Sequence, residues 1–491
     1  MAALFACPLR RSPAAALKTA RSGPLAVLVG IALFAASATG QDEQARRPVP
    51  EAVVAALRSA KIPPSSSSIV VLPLSPGGVV IESNGSLPMN PASTMKLVTT
   101  YAALDLLGPA FTWRTEVFAA GVLKNDVLEG DLVIRGSGDP KLVIESLWLM
   151  VRRVRGYGIR EIRGDLVLDR QAFEAVAHDP GEFDGEPLRP YNTGPDALLL
   201  NFKAIRFDFV PDAAARSARV IATPTLAGMK LPGSVRAGDG PCGDWRGRLK
   251  ADFSDPMSPV FGGEFPLACG ERSWHLSPLD HNRYFAAAFG ALWQGAGGVW
   301  TGALREGPVP DDARRIAVHE SAPLSELIRD VNKFSNNVMA RQIYLTLASP
   351  AGKEPASASR AESALRAWLE SRELAIPELV LENGSGLSRN ARISVAGLAR
   401  VLRHAFASPL MPELMASLPL VGADGTMRKR SGAAGNAHIK TGLLVDVRAI
   451  AGYVHAASGR RYALAAIINH SNARGGQAAH DALLQWVYAN G

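Results

Sequence analysis

Apolar positions along this chain follow two rhythms. One recurs every three to four residues, the spacing of a helix face. Val53, Val54 and Leu57 share such a face, and Leu97, Ala102, Ala103, Leu106 and Leu107 mark a helical stretch from Ala92 to Leu107, opened by Pro91. Leu324, Leu327, Ile328, Val331, Val338 and Ile343 do the same between Pro323 and Leu347, and further helices are expected over 361–374 and after Gly476. The second rhythm is the short run bounded by turn residues. Ile69–Leu72 and Val79–Ile81 flank Pro76-Gly77-Gly78 and predict a β-hairpin. Ala449–Val454 and Tyr462–Ile468 predict late strands. Between about 115 and 285, short runs such as 131–134, 165–168, 204–210 and 219–222 alternate with Gly, Pro and Asp turns, and one helix is clear, over 142–157. That block, 116–284, reads as an inserted β-rich region. Pro350–Ala358 reads as a surface loop.

Composition narrows the class. A chain of 491 residues, at a soft prior of about 150 residues per domain, suggests about three domains. With 47% hydrophobic and 20% charged residues it is neither disordered nor collagen-like. Half of the net charge of +8 sits in the first 40 residues, as Arg10, Arg11, Lys18 and Arg21 with no acid. The remainder is too dilute to indicate nucleic-acid binding. The same 40 residues run basic, then apolar (Leu25–Ala36), then small (Ala36–Gly40), the order of an export signal. The apolar run is short of the ~20 residues that span a bilayer, although an uncleaved anchor stays an alternative. The expected location is therefore the periplasm, with no stable membrane span after signal removal. Cys7 would leave with the signal, and the remaining pair, Cys242 and Cys269, is expected to form a disulfide. Two free thiols or a metal site are the alternatives, but no neighbouring Cys or His completes a tetrahedral set.

Three short motifs carry candidate chemistry. Ser93-Thr94-Met95-Lys96 places a hydroxyl and an amine three residues apart near a helix start, on one face. A serine is a poor nucleophile until a base takes its proton, and a lysine is that base only when desolvation or a nearby cation lowers its pKa. Ser335-Asn336-Asn337 falls inside the helical stretch after Pro323, and Lys440-Thr441-Gly442 falls on or beside a strand. Taken singly, each has a plain structural reading: a capped helix start, a polar helix face, a strand with a solvated lysine.

Together, in this order, the three match the motif set of penicillin-binding proteins and serine β-lactamases. Longer strings are more specific: Pro91–Lys96, Gly138-Asp139-Pro140, Cys242-Gly243-Asp244-Trp245, Asn383–Arg389 and Asp424-Gly425-Thr426. With these, the chain from about residue 50 to its end resembles the D-alanyl-D-alanine carboxypeptidase/endopeptidase family, peptidase family S13, of the penicillin-binding protein 4 type. The long stretch between Lys96 and Ser335 also resembles this family, whose members carry extra domains there. The resemblance implies an α/β (α+β) fold of the serine β-lactamase/DD-peptidase class: helices against a mostly antiparallel sheet built from 41–115 and 285–491. It implies action on peptidoglycan stem peptides ending in D-Ala-D-Ala and on their cross-links, acylation by β-lactams, and no metal or cofactor. Ser93 would be the nucleophile, Lys96 the base and Ser335 a proton relay. Asn337 would hold the substrate amide and Lys96, Lys440 and Thr441 would bind the terminal carboxylate, and Gly442 and Leu443 would line the site. The N–H groups of Ser93 and Leu443 would form the oxyanion hole. An acid from the inserted region, Asp184 or Glu186 near Tyr191, would recognise an amine on the stem.

Three departures stand out. Asn336 replaces the usual Asp of the middle motif, Glu382 replaces an Asp before Asn-Gly-Ser-Gly, and Leu443 stands where many relatives have a hydroxyl residue. Alternative readings are a serine β-lactamase, which needs fast deacylation, and a non-catalytic cell-wall-binding protein. A homodimer is compatible with the sequence but not specified by it.

Overall fold

A computed structural model describes residues 45–348 and 354–491; the expected export signal, 1–40, lies outside the described residues. The fold is α/β, as expected. Its central sheet has six strands in the order Ala45–Arg47, Val79–Ser83, Ser67–Pro73, Arg461–Asn469, Val447–His455, Ala437–Leu443. The first pair is parallel and the rest are antiparallel. The hairpin expected around Pro76-Gly77-Gly78 is the second pair of this sheet.

Alternation along the strands sends side chains to opposite faces. Ala449, Ala451 and Tyr453 pack under one helical layer, which includes Lys96–Leu107, Leu324–Lys333, Asn337–Thr346, Ala358–Ser371 and Val395–Ala407. Ile450 and Val454 face the other layer, made by Glu51–Ser59 and Gln477–Asn490. A two-faced sheet buried between helices explains why its strands read as near-continuous apolar runs.

The inserted region has its own core and its own sheets, of seven, five and two strands. Its edge differs from the expected 284/285 boundary. That point falls inside the helix His281–Gly295, whose Tyr284, Phe285, Ala288, Phe289 and Trp293 all belong to the insert core. The seven-stranded sheet closes only when Arg314–Glu320 pairs antiparallel with Arg114–Lys124. The chain thus leaves and returns side by side: Ser321 N–H donates to Trp113 C=O at 2.9 Å, and Leu324 N–H to Phe111 C=O at 2.8 Å. The insert also holds two helices beyond the expected one. Trp245–Leu249 is too short to show a period, and the run Ala286-Ala287-Ala288 blurs the face of the other. Cys242 and Cys269 are disulfide-bonded within this region, with Cα atoms 4.7 Å apart. Of the expected surface loop 350–358, the described end docks instead: Ala356 is buried and bridges to Phe173.

The stretch from Pro323 to Leu347 is not one helix. It breaks after Lys333, and Ser335 sits in the break with φ +59° rather than inside a helix. Asn336 then caps the second helix, its Oδ1 accepting from Met339 N–H at 3.0 Å. Hydrophobic spacing continued across the break and concealed it; the cap at Asn336 is the local signal that marks it. Among the described residues no helix is long and apolar enough to cross a membrane.

Candidate active site

Ser93 lies in a 3-10 turn, Ala92–Met95, that leads directly into the helix Lys96–Leu107. The turn is held from outside. Ala92 has φ +45°, and its N–H donates to Asn90 Oδ1 at 2.9 Å. Asn90 in turn donates through Nδ2 to Ser388 C=O at 2.9 Å and through its own N–H to Asn469 Oδ1 at 2.7 Å. Two glycines let neighbouring backbone press against this turn. A Cβ on Gly386 would stand 1.8 Å from Ala92 C=O, and one on Gly442 would stand 2.6 Å from Pro91 C=O. The turn is therefore fixed between the Lys-Thr-Gly strand, Ala437–Leu443, and the loop 383–389.

One helical turn onward, Lys96 is completely buried. Its Nζ lies 2.9 Å from Ser93 Oγ, 2.7 Å from Asn337 Oδ1 and 2.6 Å from Ser385 C=O. No carboxylate pairs with it among the described residues. Burial, then the nearby Lys440 and Arg341 cations, hold this amine well below the usual lysine range. Lys440 is likewise fully buried; its Nζ donates to Ser335 Oγ at 2.9 Å and to Thr441 C=O at 2.8 Å, and burial lowers it to about 7.

Three distant segments thus meet at one cleft of about 1070 Å³. Ser93, Ser335, Asn337, Thr441, Gly442 and Leu443 line it, while Lys96 and Lys440 lie buried behind them. Asp184 and Tyr191 line it as well, from the insert. Tyr191 OH and Asn192 Nδ2 each donate to the Asp184 carboxylate at 2.8 Å. Burial pushes Asp184 up, but those hydrogen bonds outweigh it and hold the carboxyl below its usual range; burial and Asp184 together push Tyr191 up to about 12. Glu186 is not brought to the cleft. It pairs with Arg189 at 3.1 Å.

Several contributors escape a reading of the three motifs. The carbonyl of Ser385 comes from a loop whose Gly384 and Gly386 both adopt positive φ; the Asn-Gly-Ser-Gly spelling signals that turn but not its contact with Lys96. Arg341, four residues after Asn337, is buried and lowered to about 10 by that burial; its guanidinium donates to Thr193 C=O at 3.2 Å. Arg389 lies over the Phe183 ring, 4.5 Å from its centroid, and both line the cleft.

Known proteins share this arrangement of the chain. The chain is 26% identical over 398 residues to the D-alanyl-D-alanine carboxypeptidase DacB of Haemophilus influenzae, covering 80% of this chain and 82% of that protein. It is 29% identical over 414 residues to the D-alanyl-D-alanine carboxypeptidase of Actinomadura sp. strain R39, covering 79% and 75%. The crystal structure of penicillin binding protein 4 (dacB) from Haemophilus influenzae has the same fold: TM-score 0.75 at 23% identity, covering 89% of this chain and 99% of that one. A second structure of that protein, complexed with a novel β-lactam, gives 0.71 at 23% identity over 89% and 98%. The family model described as "D-Ala-D-Ala carboxypeptidase 3 (S13) family" matches residues 50–489. The chain, from its sheet to its buried lysines, belongs to the D-Ala-D-Ala carboxypeptidase 3 (S13) family.

Proposed function

We propose that the protein is a serine DD-peptidase that cleaves the D-Ala-D-Ala ends of peptidoglycan stem peptides and the cross-links between them. The observation that carries this reading is the surroundings of Lys96 Nζ. A neutral amine has two N–H donors and one lone pair. Asn337 Oδ1 and the Ser385 carbonyl can only accept, so they take the two hydrogens. The lone pair is left facing the Ser93 hydroxyl at 2.9 Å. A desolvated lysine with no carboxylate partner is thus set to take the serine proton.

Ser93 Oγ then attacks the carbonyl of the penultimate D-alanine, and the C–N bond to the last residue breaks. Ser335 gives its hydroxyl proton to the departing amine and is reprotonated by the hydrogen-bonded Lys440 ammonium, while Lys96 keeps the proton taken from Ser93 until the acyl group leaves. Lys440 and Thr441 receive the terminal carboxylate. The backbone N–H groups of Ser93 and Leu443 stabilise the oxyanion, each such donor supplying ~3 kcal/mol of transition-state stabilisation. Water later releases the acyl group. The strand Ala437–Leu443 is the outer strand of its sheet; residues 419–421 pair with its first half, so an extended peptide can lie along the second half, from Lys440 onward. Asp184, ionised and held by Tyr191 and Asn192, is the group for an amine on the stem. The substrate lies outside the cytoplasmic membrane, and the Cys242–Cys269 disulfide fits that oxidising location.

Fluorescent penicillin should label the wild type and not Ser93→Ala. Mass spectrometry of muropeptides should show loss of one alanine, or dimers falling to monomers. If Ser93 takes up penicillin while muropeptides stay unchanged, the substrate is wrong. Rapid nitrocefin turnover in place of stoichiometric labelling would make the protein a β-lactamase.

A further inference from the structure

We propose that Thr426 is a substrate-binding residue: with Thr441 it forms a pair of hydroxyls that receives the substrate's terminal carboxylate, in place of the hydroxyl that Leu443 lacks. The inference rests on the DD-peptidase reading above.

Leu443 follows Lys-Thr-Gly and is 63% exposed, an apolar side chain at the mouth of the cleft. A carboxylate only accepts hydrogen bonds, so it needs donors there. Thr426 comes from a different segment, the 3-10 turn Gly425–Met427, and lines the same cleft. Its Oγ1 and that of Thr441 share a hydrogen bond of 2.7 Å. Two hydroxyls hold two protons. Thr441 Oγ1 donates to Thr426 Oγ1, and the Thr426 proton is free; both O–H bonds can rotate toward a carboxylate bridging the two oxygens, so losing either hydroxyl removes one of two donors.

The turn is fixed in place. Asp424 accepts from Lys333 Nζ at 2.6 Å and from Leu420 N–H at 2.8 Å, and Lys333 Nζ also donates to Leu418 C=O at 2.9 Å. Gly425, at φ +53°, packs so closely on Lys333 that a Cβ would stand 2.5 Å from its carbonyl. Lys333 ends the helix just before Ser335, so one helix end positions both Ser335 and Thr426. The field agrees in sign: Arg430 is paired with Asp481 and Arg389 lies 3.6 Å from Asp446, but Lys429, Arg448 and Arg474 also line the cleft, against one lining carboxylate, Asp184.

The test uses two thioesters of the same N-acylated D-alanine, one with thioglycolate as leaving group and one with ethanethiol. Only the first carries the carboxylate. Thr426→Val should lower kcat/KM for the thioglycolate ester about tenfold, the scale of a hydrogen bond to a charged group, and at least fivefold more than for the ethyl ester. Thr426→Ser should restore it, as should Leu443→Thr added to Thr426→Val. Equal losses on both esters, or no loss on either, overturn the role of Thr426 while leaving the DD-peptidase reading standing. A wild type that hydrolyses neither ester overturns both.

Discussion

Ionisation at this site is settled by two buried amines that share one neighbourhood. Lys440 helps to keep Lys96 neutral, so removing its charge should let Lys96 hold its proton more tightly. Lys440→Met should therefore move the acidic limb of the ethyl-thioester acylation profile upward, by about one pH unit. Stability follows with the opposite cause. Unfolded, Lys440 titrates near 10.5; folded, near 7. Between those values the unfolded chain binds more protons, so the lysine's contribution to stability rises with pH across that window. Urea titrations from pH 7 to 10 should show a shallower rise for Lys440→Met. The motifs name Ser93, Lys96, Ser335, Asn337, Lys440 and Thr441, and the fold brings these six side by side. Ser385 and Thr426 stand inside motif strings with no role assigned, and Arg341 is not singled out. A backbone carbonyl has no residue signature, and a threonine reaches the cleft only through the turn that carries it.

Elements position these groups through close backbone contact. The strand Ala437–Leu443 lies against the Ser93 turn because Gly442 has no Cβ; one there would also come within 3.0 Å of the Ala449 Cβ. Gly442→Ala should push strand and turn apart, costing about 1–3 kcal/mol of stability and slowing acylation more than binding. Gly386→Ala should be worse, since it adds positive-φ strain to the contact with Ala92. Denaturant midpoints and acylation rates of the two variants check this order; a Gly442→Ala enzyme of full stability and rate would contradict it. Helices and strands of the body were legible from periodicity. The break at Ser335 was not, because Val331 and Val338 continue the apolar face on either side of it. Period counts side chains and is blind to a single left-handed residue.

The whole molecule consists of a sheet between helical layers and an insert with a separate core. The disulfide closes 27 positions within that insert, which by chain-entropy arithmetic contributes roughly 3–4 kcal/mol. Reduction should lower the melting temperature of the insert while Ser93 still labels with penicillin, since neither cysteine touches the body's cores. An unchanged melting curve after complete reduction would contradict the estimate. The presence of the insert was legible from the change of texture near 115. Its far edge was not, because pairing between Arg114–Lys124 and Arg314–Glu320 joins residues too far apart for any local pattern to link.

That paired doorway makes the insert modular in a literal sense. Because exit and return are hydrogen-bonded neighbours, a short turn can replace everything between them without stretching the body. The exposed scar would include Arg341 and Gln342, which now spend their hydrogen bonds on Thr193 and Asp196, Asp330, now paired with Lys141, and the apolar seat of Phe173 on Leu345, Ala348 and Ala356. Such a trimmed chain would keep the acylating serine and lose the wall that carries Asp184 and Tyr191. Reactivity and discrimination would come apart: small esters still consumed, long peptides no longer told from one another.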